Sequence, residues 1–192
     1  MNYDLPRPAG RLLLTPEDKE APARARRLGL LGLGEHPEPA LDVFAARLAE
    51  SAGAPYAMVT FIGEHRQFFA GLCVPDVNPL TDSGKSAPRL GRHLERDHGF
   101  CPHVVARRKA LVLEDVRDYP RFAGNPIVDE FGIRSYLGAP LIDSTGMVLG
   151  TVCVADAEPR TWGRPGLETI KASAAELVAR LERREADGLP VL

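Results

Sequence analysis

The chain is poor in cysteine. Cys73, Cys101 and Cys153 are the only three in 192 residues, and they are far apart. An odd, scattered set builds no disulfide framework and suits a reducing compartment, so a cytoplasmic location is expected. An excess of one charge is also missing: 24 Lys and Arg stand against 26 Asp and Glu. A net charge of -2 supplies no electrostatic footprint for nucleic acid or for a membrane surface. No apolar run approaches the ~20 residues of a bilayer span. The opening residues, Met1-Asn2-Tyr3-Asp4, lack the basic-then-apolar order of a secretory signal. Gly-x-Ser-x-Gly, the Walker phosphate loop and His-Glu-x-x-His are all absent. A non-catalytic protein without a cofactor is therefore expected.

Glycine and proline, at 18 and 17, are plentiful and punctuate the chain. An irregular arm over residues 1 to about 14 leads into a short helix. Thr15-Pro16-Glu17-Asp18 reads as its start, Pro22 argues for a later one, and Gly32 and Gly34 end it. Pro39 to Ala52 places Leu41, Phe44, Ala45, Leu48 and Ala52 on one helical face, with Gly53 as terminator. Pro55–Ile62 and Gln67–Cys73 read as a hairpin. Residues 74–92 are polar and proline-rich, an insertion with no periodic signal. A short helix at 102–108, a strand at 110–114, a helical turn at 126–131 and a hairpin of 134–142 with 147–155 follow. The last helix, 164–184, carries Leu167, Ile170, Ala174, Leu177, Val178 and Leu181 as one stripe. Strands bracketed by helices give an α+β fold with an antiparallel sheet. The units are an arm and helix over 1–37, a domain over 38–185 and a tail over 186–192.

The densest stretch runs from Phe100-Cys101-Pro102-His103 through Asp118-Tyr119-Pro120-Arg121-Phe122 and Asn125-Pro126. It continues into Tyr136-Leu137-Gly138-Ala139-Pro140-Leu141 and Leu149-Gly150-Thr151-Val152-Cys153-Val154. With the Val59–Phe69 hairpin, Asp156 and Pro159-Arg160, these motifs in this order resemble the GAF domain family from Leu41 to Leu181. The resemblance implies a central antiparallel sheet of five or six strands. Terminal helices would pack on one face, and loops with short helices would cover a small-molecule pocket on the other. It further implies sensing, and homodimers formed through the terminal helices. The 74–92 insertion is longer than the family's usual connection.

Aromatic content and this topology nominate Phe61, Phe69, Phe100, Cys101, His103, Phe122, Asn125, Tyr136 and Gly138 as ligand-binding residues. Each has a plainer reading. Gly138 can serve packing, Phe122 can plug the core, and Asn125 before Pro126 can make a turn. Asp118 can cap local amides, and Arg121 can pair with an anion, with Asp115 or with Asp118. The neighbouring acids Glu114 and Asp115 read as solvated. His93, His98, Cys101 and His103 are metal-type donors, but their spacing matches no standard zinc site. Cys101 precedes a short helix, which favours a thiolate, whereas Cys153 sits among apolar neighbours as inert core. The leading expectation is a regulatory domain that senses an unknown small molecule and acts through a separate signalling protein. One alternative is a ligand-free dimerisation scaffold. The other is a thiol redox sensor or cysteine-dependent reductase, resembling the branch that reduces free methionine sulfoxide, although the close cysteine cluster of that branch is not reproduced here.

Overall fold

A computed structural model describes residues 15–75 and 90–188. Its sheet has six strands in the order β3-β2-β1-β6-β5-β4. They are β1 (Tyr56–Ile62), β2 (Arg66–Cys73), β3 (His93–Glu95), β4 (Leu111–Leu113), β5 (Ser135–Ile142) and β6 (Val148–Asp156). Every neighbouring pair is antiparallel. Side chains alternate across a strand, and that alternation sorts the core into two layers. Ala57, Val59 and Phe61 of β1 join Val152 and Val154 of β6 on one face. Met58 and Ile62 join Cys153 and Ala155 on the other. Central strands are buried on both sides, which is why β1 and β6 read as nearly unbroken apolar runs.

The first face is covered by α1 (Ala21–Leu30), α2 (Pro39–Ala52) and α5 (Gly163–Ala186). α2 buries Leu41, Phe44, Ala45, Leu48 and Ala49, and it ends at Gly53, whose φ of 61° favours glycine. Each large side chain so buried stabilises the fold by ~1.5–3 kcal/mol. Gly71 lets α2 lie close on β2: a Cβ there would sit 2.4 Å from the Leu41 carbonyl oxygen. The stripe of α5 buries Ile170, Ala174, Leu177, Val178 and Leu181.

Of the two starts expected for the first helix, Thr15–Asp18 is not used and the later one, near Pro22, is. α1 begins at Ala21, with Pro22 in its first turn, and Thr15–Asp18 precede it. Asp18 is drawn into a tertiary ion pair instead. Its carboxylate accepts from Arg24 at 2.6 and 3.0 Å, and Arg24 also donates to the Val148 carbonyl at 2.6 Å and the Ile62 carbonyl at 3.3 Å. Arg24 is fully buried. Leu28 of the same helix packs in the helix-side layer, so α1 is fastened to the sheet by both. An unexpected element is β3, a three-residue edge strand that follows the insertion and pairs with β2. The arm over residues 1–14, positions 76–89 of the insertion and the tail from 189 lie outside the described residues.

Candidate functional site

The second face is covered by α3 (Cys101–Arg107), a 3-10 turn (Val116–Asp118), the loop that follows it and α4 (Pro126–Phe131). Asn125 organises this cover. Its side-chain oxygen accepts from Ile127 N at 3.2 Å, capping α4, and from Gly99 N at 2.7 Å. Its amide donates back to the Gly99 carbonyl at 2.9 Å. One side chain thus ties α4 to the turn that launches α3. Gln67 assists from β2, donating to the Glu95 carbonyl at 2.9 Å and also to that of His98.

Aromatic rings fill the space beneath. Phe100 meets Phe122 edge-on at 5.8 Å and Tyr136 at 5.2 Å, and His103 meets Phe122 at 4.9 Å. Phe69 belongs to the same layer. Gly138 is small because the Tyr136 hydroxyl lies over it: a Cβ there would be 2.3 Å from that oxygen. Phe61 is the exception among the nominated residues. It packs in the helix-side layer, because it pairs with Phe68 while Thr60 pairs with Phe69. Residues paired across strands share a face, so Phe61 and Phe69 face opposite ways.

The polar content of this layer is compact. The Cys101 and Cys153 sulfurs are 3.8 Å apart, the Tyr136 hydroxyl lies 3.4 Å from Cys101 Sγ, and that thiol reaches Thr60 Oγ1 at 3.9 Å. Both cysteines are buried. They titrate as a pair. A hydrogen bond from Cys153 favours the Cys101 thiolate, bringing it down to about 6 against the opposing cost of burial. Cys153, bonded to that sulfur and buried, is pushed well up. Burial likewise pushes Tyr136 well up. His103, only 5% exposed, is brought down to about 4 by burial and by the charges of Arg121 and Arg107. It is neutral near pH 7 on that account. His103 Nδ1 is buried without a hydrogen-bond partner among the described residues, and Thr151 Oγ1 has none beyond the Cys101 thiol beside it. Alternation along β6 sets Thr151 on the same face as Cys153.

Sequence reasoning missed Thr60 and Thr151, although the signal was present. Each is a hydroxyl inside an apolar strand, and the two pair across β1 and β6. Several side-chain expectations are revised. Arg121 lies 5.8 Å from the Phe122 ring centroid, as a cation over an aromatic face. Asp115 is taken by Arg134, whose Nε donates at 3.1 Å, and it caps Arg117 N at 3.1 Å, the role expected of Asp118. Glu114 accepts from Gly163 N at 3.3 Å. His93 stacks on Phe68 at 5.1 Å and His98 approaches Glu130 at 3.9 Å. Among the described residues no three His, Cys, Asp or Glu side chains converge as ion ligands.

On the opposite face, a groove of about 630 Å³ runs between α5 and the β4–β5 edge. Val112, Pro140, Ile142 and Leu167 line it, with Lys109 and Lys171 at its rim.

Comparison with known proteins places this arrangement. The GAF domain profile matches residues 36–181. A cyclic di-GMP phosphodiesterase of Pseudomonas aeruginosa is 32% identical over 149 residues; the match covers 76% of this chain but only 22% of that enzyme. Among solved structures, the GAF domain of a phosphoenolpyruvate-protein phosphotransferase from Coxiella burnetii superposes with a TM-score of 0.57 at 19% identity, covering 88% of this chain and 96% of that one. Free methionine-R-sulfoxide reductase from Neisseria meningitidis gives 0.59 at 17% identity, covering 89% and 96%. A far-red cyanobacteriochrome photoreceptor gives 0.58 at 13%, covering 84% and 91%. At such identities the structures speak for the fold alone. Taken with the matched profile and the two-layered sheet, they establish that the chain belongs to the GAF domain family.

Proposed function

We propose that this chain is a non-catalytic regulatory domain that binds a small molecule between the sheet and the α3–α4 cover. One observation carries the reading. Two buried polar atoms beneath the cover are poorly satisfied: His103 Nδ1 has no partner among the described residues, and Thr151 Oγ1 has none beyond the Cys101 thiol beside it. A buried polar group without a partner costs ~1–3 kcal/mol, so a ligand that pairs with both recovers that cost. Such a ligand has to displace Phe122, whose ring packs edge-on against both Phe100 and His103. Binding would therefore shift the cover between two packings. The helix-side elements α1 and α5 would report the shift to a separate signalling protein. A homodimer through these helices and a cytoplasmic setting complete the proposal. The relative from Pseudomonas supports a regulatory place, since a segment of this size is a minor part of that enzyme.

A ligand-free dimerisation scaffold is the second reading, favoured by the edge-to-face packing of Phe100, Phe122 and Tyr136. Native mass spectrometry of freshly purified protein, followed by thermal denaturation against metabolites and nucleotides, separates the two. Binding predicts a mass lost on denaturation and a stabilisation of ~2.7 kcal/mol at a hundredfold excess over Kd. It also predicts weaker binding in Thr151→Val. An empty dimer that no compound stabilises would refute sensing and favour the scaffold.

A further inference from the structure

The regulatory reading makes no use of the Cys101–Cys153 pair. These sulfurs come from elements far apart in sequence, lie 3.8 Å apart and are enclosed together. We infer that Cys101 and Cys153 form a peroxide-oxidisable dithiol whose disulfide pins α3 to the centre of the sheet. The inference stands on the positions of the sulfurs and does not depend on a ligand.

The roles follow from the surroundings. Cys101 occupies the first turn of α3 and has a hydroxyl near its sulfur from both Thr60 and Tyr136. Hydrogen-bonded anionic sulfur is the attacking species in peroxide oxidation. The Cys101 thiolate attacks one peroxide oxygen. An S–O bond forms, the O–O bond breaks, and the departing hydroxide takes a proton to become water. Cys153 then loses its proton and attacks the Cys101 sulfur. An S–S bond forms, the S–O bond breaks, and the second hydroxide leaves as water with that proton. The sum is two thiols and one peroxide giving one disulfide and two waters. The two electrons come from the sulfurs.

Closing the bond brings the sulfurs to about 2.05 Å. The movement falls on α3, because β6 is hydrogen-bonded to β1 on one side and β5 on the other. α3 has only seven residues and rests on the sheet by side-chain packing. Oxidation would thus fasten the cover, and its rate would report how often the cover opens to admit peroxide. Cys73, half-buried at the end of β2, belongs to the helix-side layer.

The test treats the full reduced chain with hydrogen peroxide, blocks remaining thiols by alkylation and maps the peptides. The expected product has lost two hydrogens, carries one alkylated cysteine at Cys73 and yields a single crosslinked peptide joining Cys101 to Cys153. Cys73→Ser should give the same crosslink. Cys153→Ser should leave a sulfenic acid on Cys101, captured by dimedone. A crosslink that involves Cys73, oxygen added without a crosslink, or no reaction at a peroxide dose that oxidises the urea-unfolded chain would each overturn the inference. A dimedone adduct on Cys73 alone would overturn the order of attack. The map of the unsubstituted chain decides the matter should Cys153→Ser fail to fold.

Discussion

Lowering the pH from about 7 to about 5 should destabilise the protein chiefly through groups under the cover. The folded environment holds His103 at about 4, against 6.5 for the free side chain. The unfolded chain therefore binds the proton more readily. Stability from this group is complete above about pH 6.5 and is lost as the pH falls toward 4. The whole interval corresponds to ~3 kcal/mol, of which ~2 kcal/mol is gone by about pH 5. Carboxylates held low by their guanidinium partners, such as Asp115 with Arg134, lose their contribution mainly below this range. Cys101 works in the same direction as His103. The hydrogen bond from Cys153 favours its thiolate in the fold, so its contribution also fades as the pH falls. The comparison is therefore made in a Cys101→Ser background. Urea denaturation at several pH values, with and without His103→Phe, reads the histidine alone. The His103 protein should lose ~2 kcal/mol between about pH 7 and about pH 5 that the phenylalanine variant keeps. Parallel pH profiles, or a difference below ~0.5 kcal/mol, would refute the placement of a neutral, enclosed imidazole.

Two further outcomes follow from the packing. Arg24→Met should cost ~3–5 kcal/mol in urea denaturation, since it strands Asp18 and two strand carbonyls. Asp18→Asn should cost less, because the carbonyl bonds survive, and equal losses would contradict that division. Gly138→Ala should cost ~1–3 kcal/mol by driving a methyl group into the Tyr136 hydroxyl. Tyr136→Phe in the same chain should return part of that loss, and purely additive losses would show that the hydroxyl is not the obstacle.

Local patterns made much of the fold legible. α2 and α4 appear where proline at the start and glycine at the end delimit them, and both hairpins follow short apolar runs bounded by turn residues. The elements that escaped depend on partners distant in sequence. β3 has only one buried side chain, Leu94, and is a strand because β2 lies beside it. Asp18 looks like a helix-start acid until Arg24 and the ends of β1 and β6 claim that corner. At the candidate site, most nominated residues gather under the cover because the motifs around Phe100, Phe122 and Tyr136 are contiguous in space. Phe61 does not, since alternation along β1 sets it with Ala57 and Val59 on the helix side, while an extra residue in β2 opposite Val59 and Thr60 turns Phe69 to the other face. Cys153 reads as inert core from its neighbours. Only the seating of α3 over β6 gives it a sulfur for company.

The strand order also bears on how the chain folds. β1, β2 and β3 form one meander and β4, β5 and β6 another, and they meet only where β1 pairs with β6. Tyr56 lies opposite Ala155, roughly a hundred residues later in the chain. During synthesis β1 therefore emerges long before the strand that completes it, and until then only β2 pairs with it, with α2 over one face. Closing that distant pair carries the entropy of a long loop, so the seam should limit the folding rate. Until it closes, that edge of β1 is an unpaired apolar strand edge, open to aggregation.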